Sequence, residues 1–227
     1  MEYDVLIVGA GFSGAEAAYA LARRGARVGL MTQSLDTVYL PFTPVPGPAP
    51  EGTLLAEIWE AGIAPWELHR KAKYALEAER NLHLFQSSAT RLLVEAGRVV
   101  GVATWEGPRR LAEKTVLAVG SFLDPKLYVG MVVEAAGRLA EAAYPDLYED
   151  LVRHGFTFVT REEAVAAQEG QPAYRVAYAA FAPGEWRRED FRLVRLEGLY
   201  GVGLCVLGRG TYAEMALEGR RLGEALE

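Results

Sequence analysis

An α/β fold with a central parallel sheet is what this sequence predicts, and three observations predict it. A short apolar run, Tyr3 to Val8 (YDVLIV), leads straight into Gly9-Ala10-Gly11-Phe12-Ser13-Gly14. Helix formers follow from Ala15 to Arg24 (AEAAYALARR), Gly25 stops them, and Arg27 to Met31 (RVGLM) reads as the next strand. The strand–glycine–helix order returns near the other end, in Leu199 to Gly203, Gly208 to Thr211 and Tyr212 to Leu226. The first unit is a β-turn-α-β element with G-x-G-x-x-G at the turn, the fingerprint of a Rossmann-like domain that binds FAD or NAD(P).

Each glycine of the first turn has its own task. Gly9 permits the tight exit from the strand, Gly11 lets a pyrophosphate approach the backbone, and Gly14 lets the helix pack closely on the strand. The first amides of the helix, at Phe12 and Ser13, point toward such a ligand, and the helix dipole favours its negative charge. A ribose-binding acid is expected at the end of the second strand. Thr32 and Gln33 hold that place; neither is charged, and both can hydrogen-bond a hydroxyl. Gln33 reads equally well as a ribose partner and as a solvent-facing loop amide, and Asp36 follows a few residues later.

Further along, Pro41, Pro44, Pro46, Pro48 and Pro50 forbid helix and ladder pairing, and their place after the second strand predicts a loop near the ligand. Thr53–Ala61 and Pro65–Arg80 read as helices, the second with Pro65 in its first turn and Trp66, Leu68, Ala72, Ala75 and Leu76 able to share a face. Asn81–Gln86 reads as a strand. Ala89–Val94 and Arg98–Trp105 form a hairpin across Glu95-Ala96-Gly97. Arg109–Ala112 adds a third antiparallel strand, and Lys114–Val119 returns to the central sheet. A meander in place of a crossover helix fits FAD-binding folds of the glutathione-reductase-like type.

The middle predicts strands at Leu127–Val129, Phe156–Thr160, Ala173–Phe181 and Phe191–Leu196, the last two joined by the Gly184–Asp190 loop. It predicts helices at Asp146–His154, capped by Gly155, and at Arg161–Gln168. The whole chain reads as one domain: residues 1–120 and 199–227 form the cofactor-binding core, and 121–198 a smaller inserted region.

Composition bounds the function. Of 227 residues 51% are hydrophobic, enough for a sizeable core, and the net charge of −6 argues against a broad nucleic-acid surface. The basic clusters His69-Arg70-Lys71, Arg187-Arg188 and Arg220-Arg221 are flanked by acids and read as solvated faces. One cysteine, Cys205, excludes a disulfide framework and a multi-cysteine metal site. His69, His83 and His154 have no metal-ligand spacing, so no metal is expected. With no apolar run of membrane-spanning length and no signal peptide, a soluble cytoplasmic protein is expected.

The opening YDVLIVGAGFSGAEAAYALARRGARVGLMTQSLDT, the segments LHLFQSSATRLLVEAGRVVGVATWEG and VLAVGSFLDPKLYVG, and the ending LYGVGLCVLGRGTYAEMALEGRRLGEAL together resemble the GidA (MnmG) family, flavoproteins of tRNA wobble-uridine modification. Glu16 and Thr32 share in that resemblance. It implies bound FAD. By position, Gly9, Gly11, Phe12, Ser13 and Gly14 hold the pyrophosphate, and Thr32 and Gln33 lie near the adenosine ribose. Ala89 and Thr90 present backbone to the adenine, and Ala118 and Gly120 line the cofactor. Gly203, Gly210, Thr211, Tyr212 and Ala213 meet the ribityl chain and flavin.

The departures define what is not expected to carry over. VYLPFTPVPGP replaces the family's cysteine-bearing loop, a later cysteine segment and a KTGTP-like stretch have no counterpart, and Leu204 replaces a polar acceptor after the last strand. The family's insertion and helical tRNA-engaging domain are also missing, so tRNA binding is not expected, while a protein partner or homodimer is. Tyr39 and Asp36 read either as flavin neighbours or as a packing residue and a loop cap, and Cys205 either as a redox thiol or as a small buried hydrophobe. The function expected is an FAD-dependent oxidoreductase or a subunit of one, related to tRNA modification. The alternatives are a non-catalytic FAD-binding scaffold and a flavoenzyme acting on a small molecule.

Overall fold

Tyr3–Val8 (β1) is buried on both faces, as a central parallel strand must be. Val5 and Ile7 face one core and Tyr3, Leu6 and Val8 the other. The computed structural model describes residues 1–167, 170 and 172–226. After β1 come a helix, Phe12–Arg23 (α1), and a strand, Val28–Thr32 (β2). Two more helices, Leu54–Ile58 (α2) and Pro65–Ala78 (α3), lead to the strand Leu82–Gln86 (β3). The meander is Ala89–Glu95 (β4), Arg98–Thr104 (β5) and Arg109–Leu117 (β6).

Between β6 and Phe181 come Lys126–Val129 (β7), Val132–Glu134 (β8), a helix Pro145–Arg153 (α4), Phe158–Val165 (β9) and Tyr174–Phe181 (β10). The chain then runs through Leu199–Gly201 (β11) and a short helix, Leu204–Leu207 (α5), to the closing helix Tyr212–Ala225 (α6).

The seven-stranded main sheet runs β3-β2-β1-β6-β5-β4, with β11 also on β6. β6 belongs to both of its parts. Its first residues pair antiparallel with β5, Gly101 to Leu111, and its last pair parallel with β11, Tyr200 to Val116. The two strands expected at Arg109–Ala112 and Lys114–Val119 are therefore one. A separate antiparallel sheet runs β8-β7-β10-β9, and α4 lies in the same stretch of chain. Asp150 on α4 ties that region to the meander, its carboxylate accepting from the Leu92 amide at 2.8 Å.

Two expected elements are absent. Arg161–Gln168, read as helix, is strand through Val165, paired Tyr174 to Val165 and Phe181 to Phe158 along β10; Gln168 lies outside the described residues. Cross-strand pairing overrides the helical preference of its Glu and Ala residues. Phe191–Leu196, read as strand, makes only isolated bridges, and Phe191 has φ +60. Arg195 is drawn onto the buried Glu185 carboxylate, Nε to Oε2 at 2.6 Å, which holds the segment as a loop.

α1 and α6, nearly the whole chain apart, pack directly. An added Cβ on Gly219 would stand 2.2 Å from the Ser13 carbonyl oxygen, and one on Gly223 2.7 Å from the Ala20 Cβ. Ser13 Oγ completes the contact by donating to the Met215 carbonyl at 3.0 Å. Gly219→Val is expected to lower unfolding free energy by about 3 kcal/mol, since the obstructing atom is backbone. Urea unfolding of variant and wild type checks this; an unchanged midpoint would show that the helices do not need this approach.

Candidate functional site

The close pairing of α1 and α6 opens both glycine turns onto one cavity of about 810 Å³, within the range of small-molecule sites. Gly9, Gly11, Phe12 and Ser13 line it from the first turn, and Gly203, Gly210, Thr211, Tyr212 and Ala213 from the last. Thr32 and Gln33 reach it from the end of β2, Ala118 and Gly120 from beyond β6. Gly14, Ala89 and Thr90 do not line it. Gly14 lies beneath the turn, where an added Cβ would stand 1.9 Å from the Gly9 carbonyl oxygen. Ala89 is buried at the start of β4, and Thr90 Oγ1 donates to the Ala103 carbonyl at 3.2 Å.

The two helix starts differ. α1 begins at Gly11 with no side-chain cap and no acid in its first turn, although Phe12 and Ser13 are buried. The amides of Phe12, Ser13 and Gly14 have no intrahelical acceptor, and a buried helix start in that state calls for an external one. Gly11 has φ −73, open to any residue, yet an added Cβ there meets nothing within 4 Å. Its missing side chain leaves cavity space. α6 instead carries a capping box: Thr211 Oγ1 accepts from the Glu214 amide at 3.2 Å, and Glu214 accepts from the Thr211 amide at 2.7 Å. The amides of Tyr212 and Ala213 remain without intrahelical partners.

The proline-rich loop forms a wall of the cavity through Leu40, Phe42, Thr43 and Pro46–Pro48. It is strapped from several elements. Tyr39, fully buried at φ 55, donates its hydroxyl to Glu16 at 2.5 Å. Tyr212 Oη accepts from the Phe42 and Thr43 amides at 2.6 and 3.0 Å. Arg138 Nη2 donates to the Leu40 carbonyl at 2.6 Å, and Trp59 Nε1 to Val45 at 3.0 Å. Phe12 stacks between Tyr39 and Tyr212, ring centres 4.0 and 4.8 Å away. Glu16 also accepts from the Leu54 and Leu55 amides at 2.8 and 2.9 Å, so one carboxylate holds both the loop and the start of α2.

The other candidates resolve by position. Gln33 donates its amide to Ser88 Oγ at 3.0 Å and to the Ala143 carbonyl at 2.8 Å while lining the cavity. Asp36 is exposed and off the cavity wall. Cys205 is fully buried off the cavity wall, and burial pushes its thiol up to about 12, the setting of a small buried hydrophobe. His69 Nδ1 donates to Val38, His83 meets the Tyr3 hydroxyl, and His154 caps α4. Among the described residues no cluster suits a metal, and no helix is long and apolar enough to cross a membrane. The sequence reading missed Ser121, Arg138, Glu141 and Glu163, which line the far wall. Arg138 and Glu141 are the only charges between Ala135 and Tyr144, a signal that was available.

Comparison with known proteins bears on the whole. Residues 4–64 and 63–171 match the family model described as glucose inhibited division protein A. The chain is 34% identical over 188 residues to the tRNA uridine 5-carboxymethylaminomethyl modification enzyme MnmG of Chlamydia trachomatis, covering 69% of this chain and 31% of that enzyme. It thus spans about a third of the length of the curated relatives it matches. A crystal structure of the GidA-related protein from Thermus thermophilus is similar over 100% of this chain and 98% of that one, at 58% identity and TM-score 0.94. Aquifex aeolicus GidA shares the fold, with TM-score 0.87 at 16% identity over 98% of this chain and 62% of that one.

Burial pushes the Glu16 carboxyl up from 4.5 to about 7, against the hydrogen bonds of Tyr39, Leu55 and Leu54. Because its pKa is raised in the fold, its contribution is full at acid pH and falls as pH rises through about 7, by on the order of 3 kcal/mol. Glu16→Gln is expected to flatten that part of the stability–pH curve. Urea unfolding at about pH 5 and about pH 8 checks this; parallel curves for variant and wild type would count against it.

Proposed function

The chain belongs to the glucose-inhibited division protein A family, and from that premise we propose that it is an FAD-binding flavoprotein, an oxidoreductase or the flavin-bearing subunit of one, allied to tRNA wobble-uridine modification. The observation that carries the reading is the buried, uncapped start of α1 facing Gly210–Ala213 across one cavity. Such a start suits a pyrophosphate, and the open space at Gly11 suits its close approach.

In this reading the amides of Gly11, Phe12 and Ser13 hold the pyrophosphate, with Gly9 and Gly14 shaping the turn. Thr32 and Gln33 serve the adenosine ribose, and Ala89 and Thr90 continue the chain from Ser88 on the adenine side. Ala118, Gly120 and Gly203 line the cofactor, while Gly210, Thr211, Tyr212 and Ala213 face the flavin half. When bound, FAD supplies the redox chemistry; the chain supplies position, field and exclusion of water. The strapped proline loop is the element that excludes water. Residues 1–120 and 199–227 are the cofactor core, and 121–198 the region that covers it.

The reading includes a protein partner or a second copy of this chain, in a cytoplasmic setting. One observation favours the non-catalytic alternative: the only cysteine is buried and inert, so this chain brings no thiol to the flavin.

Wild-type protein incubated with FAD and desalted is expected to keep the visible absorption of an oxidised flavin, and NAD(P)H with a suitable acceptor to bleach and restore it. Gly11→Leu is expected to weaken FAD binding about 100-fold or more while changing stability by no more than about 1 kcal/mol. Flavin fluorescence titration and urea unfolding measure the two. Wild type that stays colourless in excess FAD would end the cofactor assignment; a yellow protein never bleached by any donor would leave the scaffold reading.

A further inference from the structure

The cavity has a second polar wall that the glycine turns do not supply. Ser121, Arg138, Glu141 and Glu163 line it. Each carries a buried side-chain atom without a hydrogen-bond partner: Ser121 Oγ, Arg138 Nη1, Glu141 Oε1 and Glu163 Oε2. The Tyr174 hydroxyl, in electrostatic reach of Arg138, Tyr212, Glu163 and Glu141, is likewise unpartnered. A buried polar atom left without a partner keeps its full desolvation penalty. Several along one cavity point to a ligand that completes them.

Arg138 is the fixed point of this wall. It is 6% exposed. Nη2 is bonded to the Leu40 carbonyl, the guanidinium lies 4.3 Å from the centre of the Phe42 ring, and Nε faces Glu141 at 3.5 Å. These contacts set the plane of the rigid fork and leave Nη1 over. Burial raises the Glu163 carboxyl above its ordinary value, against the pull of Arg138.

Charge decides the class of ligand. A phosphate would meet Glu141 and Glu163 as well as Arg138, and a cation would meet Arg138. The group that suits all of them is uncharged and sets an N–H donor beside carbonyl acceptors. In FAD two edges approach that description, the isoalloxazine pyrimidine edge and the adenine edge. Arg138 stacks on Phe42, and the Phe42 amide is bonded to Tyr212, which puts the Arg138 end of the wall at the C-terminal glycine turn, while Ala143, two residues beyond Glu141, is bonded to Gln33. The Arg138 end is thus at the flavin half.

We propose that Arg138 and Glu163, with Glu141 and Ser121 beside them, bind the pyrimidine edge of the isoalloxazine ring, where N3–H lies between two carbonyls. The inference rests on the FAD assignment above. It makes Arg138 a cation beside the part of the ring that gains negative charge, and Glu163 an opposing group.

Sulfite reads that field directly. Its lone pair forms a bond to flavin N5, and the ring's displaced electron pair settles as negative charge over N1 and the C2 carbonyl, so the adduct strengthens with a nearby cation. In FAD-loaded protein, Arg138→Met is expected to weaken the sulfite adduct at least about tenfold, and Arg138→Lys to restore part of it. Glu163→Gln, which breaks none of the loop's straps, is expected to strengthen the adduct severalfold. Arg138→Met is also expected to weaken FAD binding about tenfold while ADP binding stays within about twofold. Opposite shifts from the two positions are a result that a loosened loop does not produce. Shifts of one sign, unchanged sulfite affinity, or equal losses for ADP and FAD would each overturn the proposal. Yellow wild type with silent variants overturns this inference alone; wild type that never takes up FAD overturns it together with the cofactor assignment.

Discussion

The contact on which the rest of the molecule depends is the one between the helices at its two ends. α6 lies so close to α1 that the backbone of Gly219 sits against the Ser13 carbonyl and that of Gly223 against Ala17 and Ala20. No larger residue fits either place without parting the helices, because packed interiors leave no slack for an extra methyl group. The approach has a geometric result. Two helix starts, each with amides lacking acceptors inside the helix, are brought to one cavity at the ends of the parallel strands. In open α/β sheets that is the location where ligands bind.

Around that contact the structure uses buried carboxyl groups as fasteners. Glu16, in the second turn of α1, accepts from Tyr39 and from the first amides of α2. Glu218 on α6, equally buried, takes Arg188 at 2.6 Å and Arg221 at 3.1 Å, which brings the Gly184–Asp190 loop onto the same helix. Each carboxylate joins segments distant in sequence to one of the two paired helices. The proline-rich loop is thereby a fixed wall, held by Glu16, Tyr212, Arg138 and Trp59, although its composition alone is equally that of a flexible linker.

What the sequence made legible follows from how far each requirement reaches. The turn at Gly9–Gly14 is a local demand of backbone shape, so residue type states it directly. β6 was harder: its partner changes midway from β5 to β11, and nothing in Arg109–Leu117 marks the change. Arg161–Val165 reads as helix because Glu and Ala favour one, and only pairing with β10 decides otherwise. Most of the glycine-turn residues read from the sequence line the cavity, and so does a far wall that the sequence does not mark. Glu16 stood out as an acid, but its partners lie 23 to 39 residues away. Gln33 lines the cavity and is also bonded to Ser88 and Ala143, 55 and 110 residues distant, contacts that sequence alone does not show. Arg138 and Glu141 gave a visible pair of charges whose place depends on the loop they face.

The most direct measurement of the central claim is a crystal structure of the protein grown with FAD. The expected result is density for one FAD running from the Gly9–Gly14 turn to the Gly210–Ala213 turn, its pyrophosphate at the start of α1. FAD bound elsewhere, or a cavity still without it at saturating cofactor, would contradict the claim that these two turns exist to hold one ligand.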